Sequence, residues 1–79
     1  MSKPKLPEVV ERKLGRHKAD GLWWPSGVIE LDPRIKGRRR LEVLIHEMMH
    51  ERHPHWTEEH VTSEAEVMAR FLWKQGVRL

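Results

Sequence analysis

The sequence predicts a single α+β domain, spanning residues 1–79, in which a β-hairpin packs on a central helix and a C-terminal helix. Two β-prone runs surround a Pro/Gly turn, and two later stretches repeat apolar residues at helical spacing. A chain this short buries only about 60% of its unfolded surface and has no room for a second core. We therefore expect one small sheet and about three helices around one core.

The N-terminal part is predicted to be a leader followed by a short helix. Residues 1–7 are rich in Pro and Lys, so we expect them to be flexible. They lack the apolar core of a signal peptide. Pro7 suits the first position of a helix over residues 8–14, and Gly15 would end that helix. This short helix would carry one weak apolar stripe.

The hairpin is predicted over residues 22–31, around a Pro-Ser-Gly turn at positions 25–27. In the second arm, Ile29 and Leu31 point to one side, and Val28, Glu30 and Asp32 point to the other. An Asp-Pro pair at positions 32–33 then marks the end of the strand.

The central helix is predicted from about residue 38 to residue 52, with Pro54 beyond its end. At 100° per residue, its apolar face consists of Leu41, Leu44, Ile45 and Met48. The opposite side carries Val43, His46 and His50. A helix with separate apolar and histidine faces is suited to hold a metal ion beside a core.

The last helix is predicted from Glu58 to about Gln75. Thr57 is a favourable N-cap, and Gly76 is a favourable stop. The predicted buried stripe consists of Val61, Ala65, Met68, Ala69 and Leu72.

The composition limits how so small a domain can be stabilised. The chain has no cysteine, which excludes disulfides and thiolate zinc sites and leaves a His/carboxylate metal site or oligomerisation. The absence of cysteine also fits a reducing cytosol. The longest apolar runs are far shorter than the roughly 20 residues of a membrane helix, so we expect a soluble protein without membrane contact.

The stretch His46-Glu47-Met48-Met49-His50 matches the H-E-x-x-H pattern. Histidines four residues apart share one helix face, so His46 and His50 can bind one zinc ion. Glu47 would act as general base towards the attacking water and pass the proton to the leaving amine. The alternative is two surface histidines that bind nothing.

A third ligand has several candidates. The long metzincin signature is excluded because positions 53 and 56 hold His and Trp. On the last helix, Glu58 and Glu64 flank the buried stripe, and an ideal antiparallel pairing of the helices slightly favours Glu64. His60 and Glu66 are the other candidates.

Positions across residues 19–78 resemble a family of small phage and bacterial metallopeptidases. The shared outline is a strand, a basic turn, the H-E-x-x-H helix, a Pro-x-Trp-Ser/Thr-Glu segment and a helix ending in Leu-Trp, here at positions 32–37, 41–47, 50, 54, 56–58, 61 and 72–73. The resemblance implies a minimal, gluzincin-like zincin in which Glu58 is the third ligand, and the helix geometry keeps Glu64 as the alternative. It also implies a cytoplasmic protein of a bacterial or phage-infected cell.

The predicted substrate is a peptide or protein, held as an extended strand along the edge of the hairpin. Trp23 and Trp24 are either cleft or core residues. The chain has no tyrosine to stabilise an oxyanion, so His55, His60, His17 or an arginine would have to serve.

In a second hypothesis, the metal only stabilises the fold and the protein is a non-enzymatic binding module. The net charge is +3, and basic residues concentrate between Arg34 and Arg40. Arg38, Arg39 and Arg40 would then contact nucleic acid or a protein partner. The alternative interpretation is that these basic side chains are simply solvated at the start of the central helix. The sequence does not predict an oligomeric state.

Overall fold

A computed structural model describes residues 5–79; the first part of the predicted leader, residues 1–4, lies outside the described residues. The described chain contains a three-stranded sheet and two α-helices, which confirms the α+β class. In chain order the elements are β1 (Glu8–Glu11), a 3₁₀ turn (Gly15–His17), β2 (Gly21–Trp24), β3 (Val28–Leu31), α1 (Gly37–Arg52) and α2 (Glu58–Lys74).

The predicted hairpin is present as β2 and β3, which pair antiparallel with Trp23 opposite Ile29. The sheet order is β1-β3-β2, so β3 is central and β2 forms one edge. β1 pairs parallel with β3 on the other side. Among the described residues, β1 and β2 are therefore the two edge strands of the sheet, and β2 is the one that belongs to the hairpin.

The helix predicted over residues 8–14 is wrong, because residues 8–11 form β1. The backbone N–H groups of Glu8 and Arg12 donate to the carbonyl oxygens of Gly27 and Leu31, both at 2.9 Å. Two consecutive valines suit a strand whose partner is available, whereas so short a helix is marginal without tertiary contacts. Tertiary pairing therefore overrides the local helix signals.

A buried carboxylate ties the 3₁₀ segment to the end of β3. Asp32 is 2% exposed and accepts hydrogen bonds from the backbone N–H of Leu14 (3.0 Å) and from the backbone and guanidinium of Arg34. These hydrogen bonds, the guanidinium above all, hold the pKa of Asp32 well below its ordinary range. The side chain of Leu14 is fully buried. The Asp-Pro strand end is thus an anchor as well as a turn.

Helix α1 packs against both the sheet and α2. Val43, which the predicted apolar face omitted, is 4% exposed and belongs to the core cluster with Ile29 and Leu31. Ile45 and Met48 are only partly buried. The prediction was incomplete because it assumed one buried face, whereas a helix between two partners needs two.

Helix α2 begins and ends where the sequence predicts. The side chain of Thr57 accepts the backbone N–H of His60 at 3.1 Å, and Gly76 follows the helix with φ +102°. The buried positions of α2 are Val61, Ala65 and Ala69. Met68, predicted to be buried, is 39% exposed because it lies at the edge of the inward face. Within residues 5–79, neither α1 nor α2 has the length and apolar character needed to cross a membrane.

Candidate metal centre

The two motif histidines lie side by side on α1. His46 and His50 are one helical turn apart, with ring centroids 5.0 Å apart and side chains 18% and 17% exposed. Their Nε2 atoms face the same carboxylate on α2. The spacing thus produces the shared histidine face that the motif predicts.

Glu58, the first residue of α2, supplies that carboxylate. Its Oε1 lies 2.5 Å from His46 Nε2, and its Oε2 lies 2.9 Å from His50 Nε2. One ligand atom from each of the three residues falls within 4.8 Å of the others. This is the group of possible metal ligands found among the described residues, and it contains Glu58 rather than Glu64. Glu64 and Glu66 are exposed on α2.

The connection between the helices fixes the direction of Glu58. Trp56 stacks on His53 at 3.9 Å between ring centroids and meets His60 edge-on at 4.4 Å. Thr57 then caps α2, so its first turn starts at a defined point beside α1. The ideal antiparallel pairing that favoured Glu64 does not include this connection, in which the aromatic cluster and the cap precede a first turn of α2 that lies opposite the histidines.

The donor set fits a zinc ion. Two imidazole nitrogens and one carboxylate oxygen are ligands that zinc accepts, and three protein ligands leave a position open for chemistry. The same contacts are also consistent with plain hydrogen bonds from imidazole N–H groups to a carboxylate. Metal-binding measurements distinguish these two interpretations.

Glu47 lies beside this group on the sheet-facing side of α1. It is 7% exposed and contributes, with His46 and Glu58, to the walls of two adjoining cavities. Burial, together with the nearby charge of Glu58, raises the pKa of Glu47 to about 7. A buried carboxylate that borders the cavities is in a suitable place to exchange protons with a bound molecule.

Gly21 allows β2 to approach α1 at this point. A Cβ atom at position 21 would lie 2.6 Å from Val43 Cγ1 and 3.3 Å from both Glu47 Cγ and the Glu30 carbonyl oxygen. Any side chain would therefore push β2 away from α1. Gly21 was not identified from the sequence, because it lies just before the predicted hairpin, although a glycine within a strand often marks a close approach of the backbone.

Two open cavities adjoin the candidate ligands. One, of about 440 Å³, runs along β2 and is bounded by Gly21, Leu22, Trp23 and His50. The other, of about 290 Å³, lies towards the loop before β2 and is lined by Lys18, Asp20, Arg39 and Glu42. Lys18 and Asp20 were not identified from the sequence, because no local pattern marks a loop residue that folds back over a helix.

Trp23 is both a packing residue and a cavity wall. It packs against the core cluster, and its ring stacks near His50 with centroids 6.1 Å apart. Its indole N–H donates to Glu51 Oε2 at 2.5 Å, which fixes the ring orientation. Trp24 is 43% exposed and donates to Glu30 on the other side of the strand. Only Trp23 is thus directed to the candidate site.

The other predicted site residues lie elsewhere. None of the predicted oxyanion donors His17, His55 and His60 lines either cavity. Arg39 does line one, but its guanidinium is engaged by Asp20 and Glu42. A donor for an oxyanion among these residues therefore stays a prediction.

The basic cluster is partly neutralised within the chain. Arg34 pairs with Asp32, and Arg39 pairs with Asp20 and Glu42. Arg38 is exposed, whereas Arg40 is partly buried, and its Nη1 has no hydrogen-bond partner within residues 5–79. Contact of Arg38, Arg39 and Arg40 with nucleic acid remains a prediction.

Comparison of the chain with protein-family models, curated proteins and solved structures finds no match. The resemblance to small phage and bacterial metallopeptidases therefore stays an expectation drawn from the sequence.

Proposed function

We propose that this chain is a zinc-dependent metallopeptidase with a minimal, gluzincin-like arrangement. His46, His50 and Glu58 would hold the ion, and Glu47 would be the general base. The observation that carries the proposal is the convergence of the imidazoles of His46 and His50 on the Glu58 carboxylate, with buried Glu47 beside them.

Each residue has a defined task in this proposal. When bound, zinc supplies a Lewis acid that polarises a substrate carbonyl and makes water acidic. Glu47 takes a proton from the attacking water and delivers it to the amine of the departing peptide. Trp23 excludes water from one wall of the cavity and packs near the ring of His50.

The free edge of β2 is the place for an extended peptide. β2 is an edge strand, and its residues Gly21, Leu22 and Trp23 border the larger cavity together with His46 and Glu47. A peptide that adds to this edge through main-chain hydrogen bonds passes directly over the candidate ligands. The substrate class that this arrangement favours is an unfolded or extended polypeptide.

The ligand set is tested by zinc binding of single variants. Isothermal titration should show about one zinc per chain for the wild type and a large loss of affinity for His46→Ala and Glu58→Ala, because each removes a ligand. Glu64→Ala is the matched control, since this exposed glutamate lies two turns further along α2. Loss of zinc in Glu64→Ala with retention in Glu58→Ala would reverse the assignment.

The reaction is tested separately with Glu47→Gln. This variant should bind zinc and melt cooperatively, yet fail to cleave unfolded proteins or a peptide library that the wild type cleaves. Glu42→Gln, which also borders a cavity, should retain cleavage. A wild type that binds zinc and cleaves nothing would favour the second hypothesis, in which the metal only stabilises a binding module.

A further inference from the structure

Helix α2 carries large apolar side chains on its outward face as well as on its inward face, where Leu72 is partly buried. Inward, the buried residues are Val61 and two alanines. Outward, Val67 is 51% exposed and Phe71, the one phenylalanine of the chain, is 62% exposed. Burial of a phenylalanine is worth about 1.5–3 kcal/mol relative to leaving it in water, so its outward position needs an explanation.

Charges of opposite sign flank this apolar pair along the helix. Glu64 lies one turn before Val67, and Lys74 lies about one turn after Phe71. At 100° per residue the four side chains fall within one stripe. We call Glu64, Val67, Phe71 and Lys74 the outer stripe; every member of it is exposed.

We propose that the outer stripe pairs antiparallel with the same stripe of a second copy of this chain. An alignment that sets Val67 opposite Phe71 of the second copy also sets Glu64 opposite its Lys74, because both pairs are centred on position 69. A parallel alignment would instead place each charge against its own kind. Charge complementarity therefore selects the antiparallel dimer.

The dimer leaves the candidate metal centre open. Glu58 projects towards α1, on the side of α2 that also carries Val61, Ala65 and Ala69. The outer stripe faces away from that side, so the inference does not depend on zinc binding or on peptide cleavage. Oligomerisation is also one of the ways in which a domain this small gains stability.

The first experiment is sedimentation equilibrium of the full chain at submillimolar concentration. The wild type should associate to a dimer, and Phe71→Glu should weaken dimerisation at least about tenfold, because a charge replaces the largest apolar contact. Thr62→Glu, an exposed position of α2 outside the stripe, is the matched control and should not change the dissociation constant. Thermal melts verify that both variants fold.

A charge exchange tests the antiparallel register. Glu64→Lys alone should weaken the dimer by about two- to fivefold, and addition of Lys74→Glu should restore it. In a parallel pair neither change would matter, because like charges already face each other. A monomeric wild type, a dimer insensitive to Phe71→Glu, or a dimer insensitive to Glu64→Lys would each overturn the proposal.

Discussion

The carboxylates of Asp32 and Glu58 differ in their exposure to solvent and in the groups that surround them. Asp32 is 2% exposed, and its oxygens accept from backbone amides and a guanidinium that the fold itself provides. The Glu58 side chain is 68% exposed and faces two imidazoles that carry charge only when protonated. All the hydrogen-bond donors around Asp32 come from the fold itself, whereas Glu58 is the carboxylate that we propose to bind a metal ion. The first should matter for folding and the second for binding.

Asp32→Asn should have the largest effect on folding. The amide leaves the buried backbone N–H of Leu14 poorly satisfied and removes the charge that pairs with Arg34, so we expect the largest fall in melting temperature among the variants considered. Asp20→Asn is the control, because Asp20 forms only a partly exposed pair with Arg39 and should change the melting temperature little. Equal losses in the two variants would contradict the anchoring role of Asp32.

Acid should act on the same group. Because folding lowers the pKa of Asp32, its contribution to stability is present above the ordinary aspartate pKa and is lost as the pH falls through the lowered one. The free energy of unfolding of the wild type, measured with urea, should therefore fall as the pH drops below about 4. Asp32→Asn should flatten this dependence, and an unchanged slope would count against the assignment.

Zinc should stabilise the fold through the other carboxylate. A ligand at a concentration 100-fold above its dissociation constant adds about 2.7 kcal/mol to the free energy of unfolding, which a melt in the presence and absence of zinc detects. His50→Ala should abolish this increment, whereas His55→Ala, an exposed loop residue, should preserve it. A zinc shift that survives in His50→Ala would place the ion elsewhere.

A smaller effect links folding and binding at the start of α2. Thr57→Ala removes the side-chain cap of His60 N–H and should cost about 1 kcal/mol in urea unfolding. It should also weaken zinc binding, because the cap fixes the turn that carries Glu58. Thr62→Ala, an exposed position in the second turn of the same helix, should leave zinc affinity unchanged.

The sequence correctly predicted the parts of the fold that depend on interactions between residues close in sequence. The turn at positions 25–27, the Thr57 cap and the stop at Gly76 each act within a few residues, and the hairpin and α2 follow from them. β1 was mistaken for a helix because its conformation depends on a strand distant in sequence. Periodicity alone also could not show that α1 has two packing partners.

The candidate site likewise has features that follow from local spacing and features that depend on the tertiary fold. The side-by-side arrangement of His46 and His50 follows from helical spacing alone. The choice between Glu58 and Glu64 depends on the position of the first turn of α2 relative to α1, which geometry from the sequence does not fix. Gly21 and Asp20 reach the site only through the tertiary fold.

The parallel pairing of β1 with β3 has a consequence for the order of folding. The β2–β3 hairpin and the α1–α2 pair join elements that are adjacent in sequence, so each closes a short loop. Pairing of β1 with β3 closes a longer loop that includes the whole of β2, and therefore costs more entropy. We expect the β1–β3 contacts to form after the rate-limiting barrier. Substitutions at Val10 should then accelerate unfolding, while substitutions at Ile29 should also slow folding.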